Sequence, residues 1–252
     1  MRLVELMGRL LDPDGCPWDR EQSPETLKRY VLEEACEVID AIDSSDKATL
    51  CEELGDLLLQ VVFLAEIMRR EGAFGPDDVV RGIVDKLIRR HPHVFGEVKV
   101  SGSGEVLRNW EKIKAGEKED RGLLESVPRS LPGLARAQRV GEKVGFDWPD
   151  ASGSRAKVGE EIAELDRAMK RSDARRVDEE MGDVLFALVN LARHAGVDAE
   201  AALRRTTDKF EKRFAHVEAR VKERHGGWPA AGSAKLGLEE LDRYWEEAKK
   251  KE

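Results

Sequence analysis

An all-α fold built from two tandem copies of one helical-bundle unit is what this sequence predicts, and three observations predict it. Charged residues make up 37% of the chain, hydrophobic residues 40% and aromatic residues only 6%, a composition that favours amphipathic helices over sheet. Aligning Val31–Ala65 with Val158–Ala192 without a gap gives 15 identities in 35 positions, which marks an internal duplication. The match continues downstream: Asp85-Lys86, Arg90 and His93-Val94 recur as Asp208-Lys209, Arg213 and His216-Val217, and Trp110 corresponds to Trp245.

The elements follow in order. Leu3–Leu11 reads as a short amphipathic helix stopped by Asp12-Pro13-Asp14-Gly15, and Cys16-Pro17-Trp18-Asp19 as a loop. Ser23 as N-cap and Pro24 at the first helical position start a helix that runs to about Ile42 and is broken by Ser44-Ser45-Asp46. The next helix spans about Lys47–Arg70. Gly72–Pro76 is a turn, Asp77–Arg90 a helix ending near His91-Pro92, Glu97–Gly104 a loop and Glu105–Glu119 a further helix. Ser126–Pro132, with two prolines in seven residues, reads as linker, so units over 1–122 and 133–252 are expected, joined by 123–132. The order then begins again with a short helix Gly133–Val144, a turn Gly145–Pro149, and helices over about 154–170, 173–195, 198–224 and 236–251.

Composition also excludes classes of function. A net charge of −8 argues against direct nucleic-acid binding, which needs a basic footprint. Cys16, Cys36 and Cys51 are odd in number and at no metal-like spacing, so reduced thiols are expected. No signal peptide and no run of 18 apolar residues is present, so a soluble, cytoplasmic protein without membrane contact is expected. The chain lacks a GxxxxGK[ST] loop, which makes an ordinary P-loop ATPase a poor fit.

The candidate chemistry lies in paired acids. Glu180 and Asp183 are three residues apart and share a helix face, and Glu161 and Glu164 form a second such pair ending sixteen residues before Glu180. Glu34, Glu37, Glu53 and Asp56 repeat the pattern. Asp56 and Asp183 each precede an uncharged run of nine residues, so their helices are expected to be packed nearly all round at that point. Two helices joined by a short turn pack antiparallel and bring the two pairs face to face. Carboxylates converging at ~4–6 Å repel by a few kcal/mol per pair at an effective dielectric near 20, so such a cluster calls for cations or shared protons. An all-oxygen donor set selects Mg²⁺ or Mn²⁺ over zinc. A di-iron carboxylate site would need Glu-x-x-His pairs, which neither half has.

The Glu-Glu-x-x-Glu and Glu-x-x-Asp pattern on a duplicated helical unit resembles the MazG family of nucleoside triphosphate pyrophosphohydrolases. So do Gly15-Cys16-Pro17-Trp18-Asp19, Arg89-Arg90-His91-Pro92-His93-Val94-Phe95, Val127-Pro128-Arg129-Ser130-Leu131-Pro132, Val144-Gly145-Phe146-Asp147-Trp148 and Asn190-Leu191-Ala192-Arg193-His194. The resemblance spans nearly the whole chain. It implies helical-bundle units that form a homodimer, and Mg²⁺-dependent hydrolysis of an NTP or dNTP to the monophosphate and pyrophosphate, as nucleotide-pool housekeeping.

In that reading Glu161, Glu164, Glu180 and Asp183 hold the metal, and Glu160 or Glu179 is a spare carboxylate for deprotonating the attacking water. Lys209 and Arg213, one turn apart, grip the phosphates, with Lys157 and Arg176 in the same role and Asn190 facing substrate. Trp245 either stacks on the base or packs, and the resemblance favours ligand contact. Lys86, Arg90 and Trp110 are the N-terminal counterparts of Lys209, Arg213 and Trp245, beside a second, weaker metal site at Glu34, Glu37, Glu53 and Asp56. Trp18, Trp148 and the histidines His91, His93 and His216 read as structural.

The halves are not equal. Lys157, Arg176, Asn190 and Arg193 correspond to Tyr30, Thr49, Phe63 and Glu66, so the C-terminal half is expected to be the main catalyst and the N-terminal half weak or non-catalytic. The rival reading is a non-catalytic module that binds nucleotides or a partner protein and uses metal only to stabilise its bundle.

Overall fold

The structure is a computed structural model, and it describes residues 2–117, 122–145, 148–229 and 236–251 apart from the side chain of Ala115. Among these residues every regular element is a helix. The chain divides into two compact units, Met1–Glu119 and Asp120–Glu252.

The first unit contains α1 (Leu3–Leu10), α2 (Pro17–Arg20), α3 (Pro24–Ser44), α4 (Lys47–Arg70), α5 (Pro76–Arg90), α6 (Pro92–Phe95) and α7 (Ser103–Gly116). The second contains α8 (Gly133–Val144), α9 (Ala151–Arg171), α10 (Ala174–His194), α11 (Ala199–His225) and α12 (Leu238–Lys249). Packing repeats with the sequence. In the first unit α4 packs on α1, α3 and α5, and α5 on α7; in the second α10 packs on α8, α9 and α11, and α11 on α12.

Local chemistry sets the helix ends. The Ser23 hydroxyl caps α3 by accepting from the Thr26 N–H, with Pro24 in the first turn. Both hairpins turn on the same device: Ser45 and Ser172 end α3 and α9 in the left-handed conformation, at φ 60° and 53°. The aspartates that follow, Asp46 and Asp173, then cap α4 and α10. Such tight reversals hold each pair antiparallel.

Three boundaries differ from the sequence reading. The loop over Cys16–Asp19 contains a helical turn, Pro17–Arg20, because Pro17 occupies its first position with Cys16 as N-cap. Pro92–Phe95 forms a similar turn. The helix expected from 154 begins at Ala151, because Asp150 accepts from the Ser152 N–H at 2.7 Å and caps it there. Lys118 and Glu119, at the end of the helix expected over Glu105–Glu119, and Phe146 and Asp147, in the expected Gly145–Pro149 turn, lie outside the described residues.

In the first unit the core forms between α1, α3 and α4, where Met7, Leu11, Leu27, Val62, Phe63 and Ile67 are buried. Each such side chain contributes about 1.5–3 kcal/mol by leaving water. The second unit centres a cluster on Val217, Val221 and Tyr244, joined by Phe214, Leu241 and Trp245.

The expectation that α4 and α10 are packed nearly all round is corrected. Leu54, Leu58 and Val61 on α4, and Met181, Leu185, Phe186 and Leu188 on α10, are each between two-fifths and three-fifths exposed. Each unit therefore covers only one side of its acid-bearing helix, and the uncharged runs mark a core on one side and an open apolar face on the other. None of the described helices is long and apolar enough to cross a membrane.

Candidate metal and nucleotide site

The α9–α10 hairpin brings three of the four expected C-terminal acids together. One carboxylate oxygen from each of Glu161, Glu164 and Glu180 lies within 4.8 Å of the others. Glu161 and Glu180 are buried, at 7% and 2% exposure. At that separation three ionised groups repel by about 3 kcal/mol per pair at an effective dielectric near 20. Side-chain cations answer part of this. Lys157 Nζ lies 2.7 Å from Glu161 and 2.9 Å from Glu160, and Arg176 Nη2 lies 2.7 Å from Glu180 Oε1. Arg167 reaches Glu164 at 3.1 Å. The carboxylates of Glu160 and Glu161 hold the Lys157 ammonium well above its ordinary pKa.

One observation tests the fit of a metal. Glu180 Oε2 is buried and has no hydrogen-bond partner among the described residues. A buried carboxylate oxygen without a partner is costly, and the carboxylate that carries it stands beside two others. That donor set, all oxygen and all anionic, fits Mg²⁺ or Mn²⁺. Asp183, one turn beyond Glu180, is exposed and outside the triplet. Glu160 and Glu179 are exposed at the rim, Glu160 paired with Lys157 and Glu179 with Arg175 at 3.1 Å and Arg176 at 3.4 Å.

The α3–α4 hairpin repeats the triplet with Glu34, Glu37 and Glu53. Asp56, again outside the three, is near enough to act on its neighbours. Burial first, then Asp56 and Glu37, raise the pKa of Glu34 above the ordinary 4.5. Burial, then Glu37 and Asp56, do the same to Glu53. Gln60 Nε2 donates to Glu34 at 3.4 Å, a weak bond, and Gln60 Oε1 is buried without a partner among the described residues.

The remaining expected residues fall into two groups. Arg213 and Trp245 meet, the guanidinium carbon 5.7 Å from the ring centroid, and Arg90 and Trp110 meet at 5.3 Å in the first unit. Trp245 lines an aromatic cavity of about 290 Å³ with Phe210, Phe214, Trp228 and Asp242, its ring centroid 4.9 Å from that of Phe210. Sequence reasoning does not single out Phe210 and Phe214, although their spacing of four places them on the face of α11 that carries Val217 and Val221. Lys209 is exposed on α11, and Lys86 on α5. Arg90 is bound to Glu117, whose pKa falls to about 2 under hydrogen bonds from Arg90 and Arg89.

Asn190 is not brought to the acids. It lies ten residues after Glu180, ~15 Å along the helix axis, and its Oδ1 accepts from Arg193 at 2.6 Å. There Gly141 lets α8 approach: a Cβ at that position would lie 3.2 Å from Arg193 Nε. Glu66, the counterpart of Arg193, is 1% exposed and paired with Arg69 and Arg70, and Arg70 in turn donates to the Gly8 and Leu11 carbonyls at the end of α1. Trp148 packs over the start of α9, where a Cβ on Gly153 would sit 2.2 Å from its ring.

Comparison with known proteins agrees with this duplicated site. The profile of the MazG nucleotide pyrophosphohydrolase domain matches residues 22–95 and 152–218, which contain both acid triplets. The chain is 46% identical over its full length to the nucleoside triphosphate pyrophosphohydrolase of Escherichia coli (strain K12), covering 97% of that protein. It is 45% identical over 98% of its length to the nucleoside triphosphate pyrophosphohydrolase/pyrophosphatase MazG of Thermotoga maritima, covering 94% of it. An uncharacterized protein YabN of Bacillus subtilis (strain 168) is 44% identical over 98% of the chain, which spans 51% of that protein. The chain belongs to the MazG family and carries its nucleotide pyrophosphohydrolase domain twice.

Proposed function

We propose that this protein hydrolyses nucleoside triphosphates, ribo- or deoxyribo-, to the monophosphate and pyrophosphate, and that the C-terminal unit performs the reaction. The single observation that carries the reading is that Glu180, which has one buried, unpartnered oxygen, meets Glu161 and Glu164 within 4.8 Å in a hairpin flanked by basic side chains. Those three acids, with Asp183 on the same helix face, would hold Mg²⁺ or Mn²⁺, which bound there supplies charge neutralisation to the phosphates and acidifies water.

The chain's own residues supply the rest. Lys157 and Arg176 sit at 2.7 Å from the buried acids and offer N–H donors to phosphate oxygens at the same place. One of the two exposed rim carboxylates, Glu160 or Glu179, accepts the proton of the attacking water. Arg213 and Trp245 form a surface of cation over aromatic ring that suits a phosphate and a base in sequence. Lys209, one turn before Arg213, adds a second cation for the phosphates. Asn190, tied to Arg193, has a packing role in this scheme.

A homodimer belongs to the same proposal. The exposed apolar side chains of α4 in one unit and of α10 in the other support it, because each is a face of the kind that a second copy covers. The division of the chain near 120–132 leaves each unit its own hairpin, and nucleotide-pool housekeeping is the role this chemistry fits. The test is product analysis after incubation with Mg²⁺ and each NTP or dNTP. Monophosphate and pyrophosphate are expected; diphosphate and phosphate would mean a different reaction.

A further inference from the structure

A small polar cavity of about 180 Å³ opens at the turn end of the α9–α10 hairpin. Its walls include the acids Glu164 and Glu180 and three arginines, Arg167, Arg171 and Arg176. Asp173 completes the acidic side, but its Oδ1 is committed to capping α10 through the Arg176 N–H. By charge the cavity is balanced, three carboxylates against three guanidiniums, as it stands. A divalent cation taken up by Glu164 and Glu180 leaves it with a net positive charge of two. It then suits a compact polyanion, and its volume is too small for a base with its sugar.

The order of charges along α9 supports the same reading. Lys157, Glu161, Glu164 and Arg171 recur at intervals of four, three and seven residues, one continuous stripe with the acids in the middle and a cation at either end. Arg167, three residues after Glu164 and four before Arg171, joins the Arg171 end from α9, and Arg176 joins it from α10.

The first unit shows that the arginines are not needed to build the hairpin. Glu37, Asp46 and Glu53 stand in for Glu164, Asp173 and Glu180, yet Asp40, Ser44 and Thr49 replace Arg167, Arg171 and Arg176. The Ser44 hydroxyl turns back to the Ala41 carbonyl at 3.0 Å and the Thr49 hydroxyl donates to Asp46 at 3.0 Å. The hairpin forms in both units with the same left-handed serine and the same aspartate cap. A purely structural neutralising role would be needed equally in both.

We propose that Arg167 and Arg171 join Arg176 in a guanidinium seat for the two terminal phosphoryl groups of the triphosphate, and so for pyrophosphate as product. This rests on the pyrophosphohydrolase reading above and extends it to two residues that the acid motif does not include. Guanidinium forks bind phosphoryl oxygens in pairs, so the seat fixes which end of the polyphosphate leaves. It also makes pyrophosphate a product inhibitor.

The experiment titrates inorganic pyrophosphate into the full-length protein with Mg²⁺ present, by calorimetry, alongside Mg²⁺ alone. In R167A/R171A the pyrophosphate affinity is expected to fall by roughly tenfold or more, with Mg²⁺ binding unchanged or tighter. R167K/R171K, which keeps the charge and loses the fork, falls in between. Asp40→Ala in the first unit has no effect. Equal pyrophosphate affinity in the wild type and R167A/R171A, or no pyrophosphate binding by the wild type, overturns the seat. Parallel loss of Mg²⁺ binding in both double variants overturns it too, because the arginines would then act only by holding the acids. The function reading fails separately: if the wild type makes no monophosphate while pyrophosphate binding depends on the arginines, the seat stands and the reaction assignment falls.

Discussion

The two hairpins of this chain have the same backbone and the same acids in opposite electrostatic surroundings. In α9–α10 the triplet is met by Lys157, Arg167 and Arg176 within 2.7–3.1 Å. In α3–α4 Tyr30, Asp40 and Thr49 occupy those positions, and Glu34 and Glu53 have raised pKa values instead. The comparison teaches that the acids alone make a cation site, whereas acids ringed by cations make a site for a metal together with an anion. If so, the first unit, whose triplet has no ion pair with a side-chain cation among the described residues, is expected to bind the bare Mg²⁺ at least as well as the second, which in the proposal takes it up with the triphosphate.

The sharpest way to break the comparison is to remove the ring of cations. K157A/R176A is expected to lower kcat/KM for a nucleoside triphosphate by about 10²-fold, the scale of removing two charge-assisted hydrogen bonds. The matched Y30A/T49A pair is expected to stay within about twofold, as independent sites do. Steady-state kinetics on both variants decides it, and equal losses would erase the asymmetry.

A smaller effect reads the first unit directly. The raised pKa values of Glu34 and Glu53 mean that their protonated forms are favoured in the folded state, so their contribution to stability is complete below 4.5 and is lost as pH rises through the folded values. Glu117 works the other way: depressed to about 2, it contributes above the ordinary 4.5 and is lost only as pH falls toward 2. As pH rises above 4.5, therefore, hydrogen-exchange protection of α3–α4 in the full chain is expected to fall, and Mg²⁺ to restore it. E53Q removes both responses. A protection level independent of pH and Mg²⁺ would contradict the uncompensated cluster.

Much of this is legible in the sequence. Duplication, the helical hairpins and the acid pairs come from identities, caps and spacing, because a short antiparallel turn leaves few ways to place Glu161 and Glu164 against Glu180. Three things were not legible. The nine-residue uncharged runs after Asp56 and Asp183 suggested all-round burial, but an uncharged helix reads the same whether its second side meets core or awaits a partner. Asn190 shares a helix face with Asp183, yet ten residues of rise beyond Glu180 carry it to α8 and Arg193. The arginine cavity joins the end of one helix to the start of the next, so no single periodicity contains Arg167, Arg171 and Arg176.

The central claim is that one of two acid triplets turns over nucleotide, and separate E180Q and E53Q substitutions in the full-length chain test it most directly. Pyrophosphate release from a nucleoside triphosphate with Mg²⁺ is expected to fall by well over about 10²-fold in E180Q, beyond what losing a metal's outer-shell partner costs. E53Q is expected to keep the rate of the unaltered chain. Equal loss in the two variants, or loss in E53Q alone, would contradict the assignment of catalysis to the C-terminal unit.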